Sequence, residues 1–287
     1  MSSHLSLAET RVAILGLGLM GGSLALALKG YCRAVLAYDP DPATLALASA
    51  RQIVDTASPD LAAILPQADL VVLAAPVRAT MSLIRQLPSL HPGSAVILDL
   101  ASTKAQVCRA FEELPPRFDP IGGHPMCGKE TAGLPNAEAG LYQGAAFALT
   151  PLERTSPHAR SLAVQVVEAI GARPVWLDAA THDRWAAATS HMPYLLAVAL
   201  TLATQPDVKP LVGPGFRSTS RLASSSARMM ADILHTNREN VLAVLALFRG
   251  ELEQIETILQ QEDEPHLYEK LQRGIAARDH LTRGGSA

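Results

Sequence analysis

The sequence predicts two domains of different class: an α/β domain built on a parallel sheet over residues 1–152, and an all-α domain over residues 153–287. Two observations carry that division. Short runs rich in Val, Ile and Leu alternate with helical stretches, the order that builds βαβ units and a parallel sheet. From Asp178 onward the strand signals stop, and the rest of the chain reads as helix.

The first strand and helix are the most specific part. Arg11-Val12-Ala13-Ile14-Leu15 leads into Gly16-Leu17-Gly18-Leu19-Met20-Gly21, and apolar residues of helical composition follow from Leu24 to Leu28. Strand, glycine turn and helix together are the context in which G-x-G-x-x-G reads as a Rossmann-type dinucleotide site. Gly16 makes the tight turn, Gly18 lets a pyrophosphate reach the backbone, and Gly21 lets helix and strand pack closely. Free amides and the dipole at the helix start supply the anion site. The second strand, Ala34–Asp39, ends in a carboxylate about twenty residues on, where an acid accepts both ribose hydroxyls. The next arginine is Arg51, so nothing nearby welcomes a 2′-phosphate, and NAD is expected rather than NADP. An N-cap for a helix starting near Pro42 is the alternative role for Asp39.

Ala68–Pro76 and Ser94–Asp99 read as further strands, the first apolar throughout and suited to burial on both faces. Helices are expected over Arg78–Leu87 and up to about Glu113. Ligands gather at strand carboxyl ends, which marks Ala75, Pro76, Asp99, Ser102 and Lys104. Ser102 and Thr103 are also natural helix N-caps. Gly144–Pro151 reads as the last strand of this domain, residues 157–170 as an amphipathic helix and Pro174–Leu177 as a short strand.

Between these elements, Ile121–Glu130 packs an imidazole, a thiol, an amine and a carboxylate among three glycines and a proline. Pro125 pushes His124 towards an extended backbone. A stiff loop presenting a reactive ring is expected, although a surface turn with an incidental histidine has the same composition. In the helical part, Pro193 is expected to bend its helix near Thr189–His191 and to aim His191 out of the packed face. A satisfied core histidine is the alternative. Arg217, Arg221 and Arg228 share one face if their segment is a single helix, with Ser218 and Ser220 beside them. A substrate with two carboxylates would satisfy such a face through bidentate contacts; so would plain solvation. Two charged helices, Arg238–Gln261 and Glu264–Arg283, close the chain.

Composition narrows the function classes. The formal net charge is −3, with 10 Lys+Arg against 12 Asp+Glu in residues 1–150 and 14 against 15 in residues 151–287. Neither part is basic, which argues against a nucleic-acid or anionic-membrane partner. Cys32, Cys108 and Cys127 form neither a disulfide framework nor a zinc pattern, so a cytoplasmic protein without a metal is expected. The first residues lack the basic and apolar regions of a signal peptide. Trp185–Ala203 carries no charge and is long enough to span a membrane. It also holds Ser190, His191 and Pro193, so a helix buried in the helical domain or at a dimer interface is expected instead.

With these residues in hand, the chain resembles the prephenate/arogenate dehydrogenases of tyrosine biosynthesis over roughly residues 11–262. The matching pieces are Gly-Leu-Gly-Leu-Met-Gly at 16–21, Asp-Leu-Ala-Ser-Thr-Lys at 99–104 and Gly-Gly-His-Pro-Met-Cys-Gly-Lys-Glu at 122–130. Ser-His-Met-Pro at 190–193 and Gly-Phe-Arg-Ser-Thr-Ser-Arg at 215–221 complete them. The likeness implies a Rossmann-type domain, an all-α domain that forms a homodimer, and NAD bound by residues 16–21, Asp39, Ala75, Pro76 and Ser102. It implies that His124 accepts the hydrogen bond of the ring C4 hydroxyl and that Ser102 holds both. Arg221 would bind a substrate carboxylate, His191 would contact substrate, Arg217 would lie nearby, and Glu130 would pair with Arg221 when the site is empty. Many relatives carry Asp where this chain has Ser218, and the lost acid favours prephenate over arogenate, which bears an amino group. Two rivals fit less well. A β-hydroxyacid-type dehydrogenase relies on a lysine in the helical half, where only Lys209 and Lys270 are available and neither has a glycine-rich helical context. A non-catalytic NAD sensor would not require His124, Ser102 and Arg221 together.

Overall fold

A computed structural model of the protein describes residues 5–283. Successive side chains of β1 (Arg11–Leu15) turn to opposite faces, as in any strand, and Val12 to Leu15 are all buried. Val12 and Ile14 enter one apolar cluster while Ala13 and Leu15 enter another, all four without exposed surface. β1 is therefore a central strand covered on both faces, and each of its fully buried Val, Ile and Leu side chains contributes about 1.5–3 kcal/mol.

The chain continues through α1 (Leu19–Leu28), β2 (Ala34–Tyr38), α2 (Pro42–Ala50), β3 (Thr56–Ser58), the single turn α3 (Leu61–Ile64), β4 (Leu70–Leu73) and α4 (Val77–Leu90). Then come β5 (Ala95–Asp99), α5 (Ala105–Glu112), β6 (Phe118–Pro125), β7 (Ala146–Pro151), α6 (Pro157–Ala169) and β8 (Arg173–Trp176). These strands form one eight-stranded sheet in the order β3-β2-β1-β4-β5-β6-β7-β8. Every neighbouring pair is parallel except β6 and β7. Helices α1 and α6 cover one face, and α3, α4 and α5 the other.

Two expectations are corrected here. β7 is not the last strand: β8 pairs with it and forms the sheet edge, so α6 and β8, beyond residue 152, complete the same layers. His124 does not sit on a loop. It lies in β6, in register with Ala148 of β7, because Gly122 and Gly123 are drawn into the strand by bonds described below. Strand β3 leaves no mark in the sequence, being three residues long and only partly buried.

Beyond the sheet come α7 (Ala179–Ala186), a π-helical turn (Ala187–His191), α8 (Met192–Ala203), α9 (Pro214–Ser220), a 3₁₀ turn (Arg221–Ser224) and α10 (Ala227–Thr236). The bend expected before Pro193 takes the form of the π turn, which shifts the hydrogen-bond register just ahead of the proline. The single basic helix face does not form. Ser226 caps a new helix by accepting the Met229 amide at 3.4 Å, so Arg228 lies on α10 while Arg217 lies on α9. Serine hydroxyls compete for backbone donors, and the run Ser224-Ser225-Ser226 breaks the segment.

The chain divides into two compact units, Met1–Arg238 and Glu239–Ala287. The second consists of α11 (Arg238–Gln260) from its second residue onward and α12 (Glu264–Thr282), close to the expected spans. Lys270 joins these two helices through Glu251 at 2.5 Å and Gln254 at 2.7 Å.

Candidate active site

The candidate residues collect on the carboxyl edge of the sheet. β2, β1, β4, β5 and β6 are parallel neighbours, so Asp39, the glycine turn, Ala75-Pro76, Ser102 and His124 all lie at the same edge. Ligands bind along that edge in doubly wound sheets.

The turn after β1 is shaped as its sequence requires. Gly16 has φ +107°, and a Cβ there would sit 2.6 Å from the Ala74 carbonyl oxygen. A Cβ at Gly21 would overlap the Gly16 carbonyl, whereas one at Gly18 would meet nothing within 4 Å. Backbone at Gly18 is thus approachable, and no side chain caps α1, whose N-cap is Gly18 itself. Asp39 does not cap α2; Asp41 does, by accepting from Ala43 and Thr44. Asp39 instead reaches back to the turn, accepting the Leu17 amide at 2.8 Å and the Asp41 amide at 2.9 Å. An open glycine, uncapped helix amides and an anchored carboxylate fit the pyrophosphate and ribose of a dinucleotide.

His124 is held by a buried frame. Asp99 and Lys104, both without exposed surface, form an ion pair. Asp99 Oδ1 accepts the Gly123 amide at 3.0 Å, and Lys104 Nζ donates to the Gly123 carbonyl at 2.6 Å. Those bonds fix the residue before His124 on both sides of its peptide. They also explain the glycines: a Cβ at Gly123 would sit 2.5 Å from the Asp99 carbonyl oxygen, and one at Gly122 would overlap the Thr150 hydroxyl. His124 itself is buried, and its Nδ1 lies 2.9 Å from His182 Nε2. His182 Nδ1 lies 2.8 Å from Asp183 Oδ1. Burial, and then the neighbouring His182, Lys104 and His191, hold the His124 pKa well below its ordinary 6.5, so the ring is neutral near pH 7.

Ser102 is half-buried in the segment between β5 and α5. Neither it nor Thr103 caps α5. The carboxylate of Asp183 does so from α7, accepting the Lys104 amide at 2.7 Å and the Ala105 amide at 2.9 Å. Thr103 bonds Thr236 at 2.9 Å instead. Burial pushes the Asp183 carboxyl up, but the His182 bond and these two amides outweigh it and leave its pKa below the usual value.

His191 points inward rather than out of its helix: it is 1% exposed, with Nδ1 3.2 Å from Asn237 Nδ2 and a buried Nε2 without a hydrogen-bond partner. It is the last residue of the π turn, and burial draws its pKa down to about 4. Arg221, in the 3₁₀ turn, forms an ion pair with Glu130, six residues past His124. That contact brings the arginine segment to the loop following β6. Arg217 and Ser218 are exposed on α9.

Comparison with known proteins decides the family. Residues 24–176 match the model of the prephenate dehydrogenase nucleotide-binding domain, and residues 178–273 that of the prephenate dehydrogenase dimerization domain. The chain belongs to the prephenate dehydrogenase family. It is 30% identical to the prephenate dehydrogenase of Bacillus subtilis, covering 94% of this chain and 76% of that one. It is likewise 30% identical to the cyclohexadienyl dehydrogenase of Zymomonas mobilis, over 93% and 94%. Among solved structures, the prephenate dehydrogenase of Aquifex aeolicus in complex with hydroxyphenyl propionate and NAD+ superposes with a TM-score of 0.89. The two are 29% identical, over 96% of this chain and 100% of that one.

Within this family member, three residues of the cluster escape motif reading: His182, Asp183 and Asn237. The only sequence sign of the first two is an adjacent His-Asp pair where the strands end. Asn237 donates to the Asp183 carbonyl at 2.7 Å, closing the cluster from the end of α10.

Proposed function

We propose that this protein catalyses the NAD-dependent oxidative decarboxylation of prephenate to 4-hydroxyphenylpyruvate, a step of tyrosine biosynthesis. The observation that carries the reading is the neutral His124, framed on both sides of its preceding peptide and lying on the sheet edge that also carries the glycine turn. NAD+, bound through residues 16–21, Asp39, Ala75 and Pro76, supplies the hydride acceptor for C4. His124 takes the proton of the C4 hydroxyl, which is general-base help worth about 10²–10⁴-fold in rate. The ring carboxylate departs as CO2, and the proton returns to the phenolate oxygen as the ring becomes aromatic. Ser102, not needed to cap α5, orients the hydroxyl. Arg221 trades Glu130 for a substrate carboxylate, Arg217 adds positive charge nearby, and His191 offers its unpartnered nitrogen to the substrate side of the cluster.

Ser218 in place of an acid leaves the arginine neighbourhood positive, which favours the anionic keto acid side chain of prephenate. Arogenate is the second reading, supported by the likeness to a cyclohexadienyl dehydrogenase. The working form is a cytoplasmic homodimer. Ala179–Ala203 is long and apolar enough to cross a membrane, yet its most apolar window is only 28% buried within one chain. Leu202, Leu247 and Leu281 are more than 70% exposed. Packing between helical domains covers such surfaces.

A side-by-side assay of prephenate and arogenate, each with NAD+ and NADP+, tests the proposal. Prephenate with NAD+ is expected to give NADH, CO2 and 4-hydroxyphenylpyruvate fastest. No turnover in any of the four combinations overturns the activity.

A further inference from the structure

We propose that His182 and Asp183 are positioning residues that lock His124 into the tautomer carrying its hydrogen on Nδ1, leaving Nε2 as the proton-accepting nitrogen. The proposal deepens, and rests on, the reading of His124 as the base. An ionised carboxylate only accepts hydrogen bonds, so the His182 nitrogen 2.8 Å from Asp183 Oδ1, Nδ1, carries the hydrogen. In a neutral imidazole the other nitrogen is then a bare lone pair. His182 Nε2 therefore accepts, and the hydrogen in the 2.9 Å contact between the rings comes from His124 Nδ1. By the same rule His124 Nε2 is bare.

Nothing in this chain of contacts is loose. His124, His182 and Asp183 are all buried. The Lys104 and Ala105 amides fix the Asp183 carboxylate, and Asn237 fixes its backbone carbonyl. Of the other charged or titratable groups facing the pair, Lys104 bonds Asp99 and the Gly123 carbonyl, and His191 bonds Asn237. During the reaction the substrate O–H bond breaks, an Nε2–H bond forms, and the electron pair stays on the substrate oxygen. The His124 imidazolium then points its Nδ1–H at a lone pair backed by a carboxylate, which stabilises the charge until the proton returns to the product oxygen.

Long-range ¹H–¹⁵N correlation spectra of the ¹⁵N-histidine-labelled full-length protein with NAD+ read the tautomer directly, the His124 signals being assigned by their loss in His124→Asn. The expected state is Nδ1–H; an Nε2–H ring, or a His124 protonated on both nitrogens at a pH where the enzyme turns over, overturns the proposal. Asp183→Ala removes the acceptor that holds the hydrogen on His182 Nδ1, which releases both tautomers. Its kcat is expected to fall about 10²–10⁴-fold with KM nearly unchanged, and its His124 signal to show the Nε2–H form. An Asp183→Ala enzyme with unaltered kcat overturns the proposal. Should loss of the α5 cap prevent that variant from folding, His182→Gln and His182→Leu decide. The Gln carbonyl can accept from His124 Nδ1, so it is expected to retain more activity than Leu, and equal activities overturn the proposal. A protein that shows the Nδ1–H tautomer yet converts neither prephenate nor arogenate removes the proposed activity and leaves the tautomer lock standing.

Discussion

The glycine turn after β1 and the histidine cluster after β6 lie on the same edge of one sheet, but backbone builds the first and side chains build the second. In the turn, Gly16 and Gly21 work by what they lack: space for a Cβ is absent at both and open at Gly18. In the cluster, residues from β5, β6, α5, α7 and α10 bond one another across the first compact unit. A local feature of this kind depends on six consecutive residues. A distributed one depends on every partner, so its failure modes are larger and harder to foresee.

Breaking the frame under His124 is expected to have the largest effect. Lys104→Met leaves Asp99 buried without a counter-charge, and stability falls by about 3–5 kcal/mol in urea unfolding. A loss below about 1 kcal/mol would show that the pair is not what holds Gly123. In the turn, Gly21→Ala forces methyl against the Gly16 carbonyl and costs roughly 1–3 kcal/mol. Gly18→Ala leaves stability nearly unchanged but weakens NAD+ affinity, since the new methyl occupies the approach to the backbone. Equal effects of the two alanines on stability would remove the distinction drawn between those glycines.

Arg221→Ala sharpens the comparison from the substrate side. Loss of a charge-assisted contact worth about 1.5–3 kcal/mol is expected to raise KM for prephenate some ten- to hundredfold, with kcat far less affected. An indifferent KM would place the arginine outside the substrate site. The smallest effect is in pH dependence. Burial first, with Asp183 opposing and His182 assisting, lowers the His191 pKa from 6.5 to about 4. The unfolded chain therefore binds more protons across that range. The stability this neutral ring contributes is complete above pH 6.5 and is lost as pH falls towards 4. A melting temperature that declines over this window, and less steeply in His191→Leu, is the expected record; parallel declines would assign the effect to other groups.

The same contrast explains what the sequence makes legible. The glycine turn and the strands β1, β2, β4 and β5 are readable because each rests on a short local pattern. The sequence marks His124 and its glycines as a group but predicts a loop, because the bonds that straighten β6 come from Asp99 and Lys104 on another strand and its following segment. Asp39 and Ser102 each carried a capping alternative, and the structure gives those caps to Asp41 and to the distant Asp183. Periodicity predicts one helix face for the arginines because it does not reveal that Ser226 starts a new helix. No local pattern singles out His182 and Asp183, since a His-Asp pair acquires meaning only when a strand from elsewhere brings an imidazole within 2.9 Å.

The central claim is that the His124 ring removes the substrate proton, and single-turnover hydride transfer in His124→Asn tests it most directly. With prephenate and NAD+ both bound, the account predicts NADH formation slowed by about 10²–10⁴-fold while the affinities for both ligands hold. NADH appearing at the unaltered rate would contradict it.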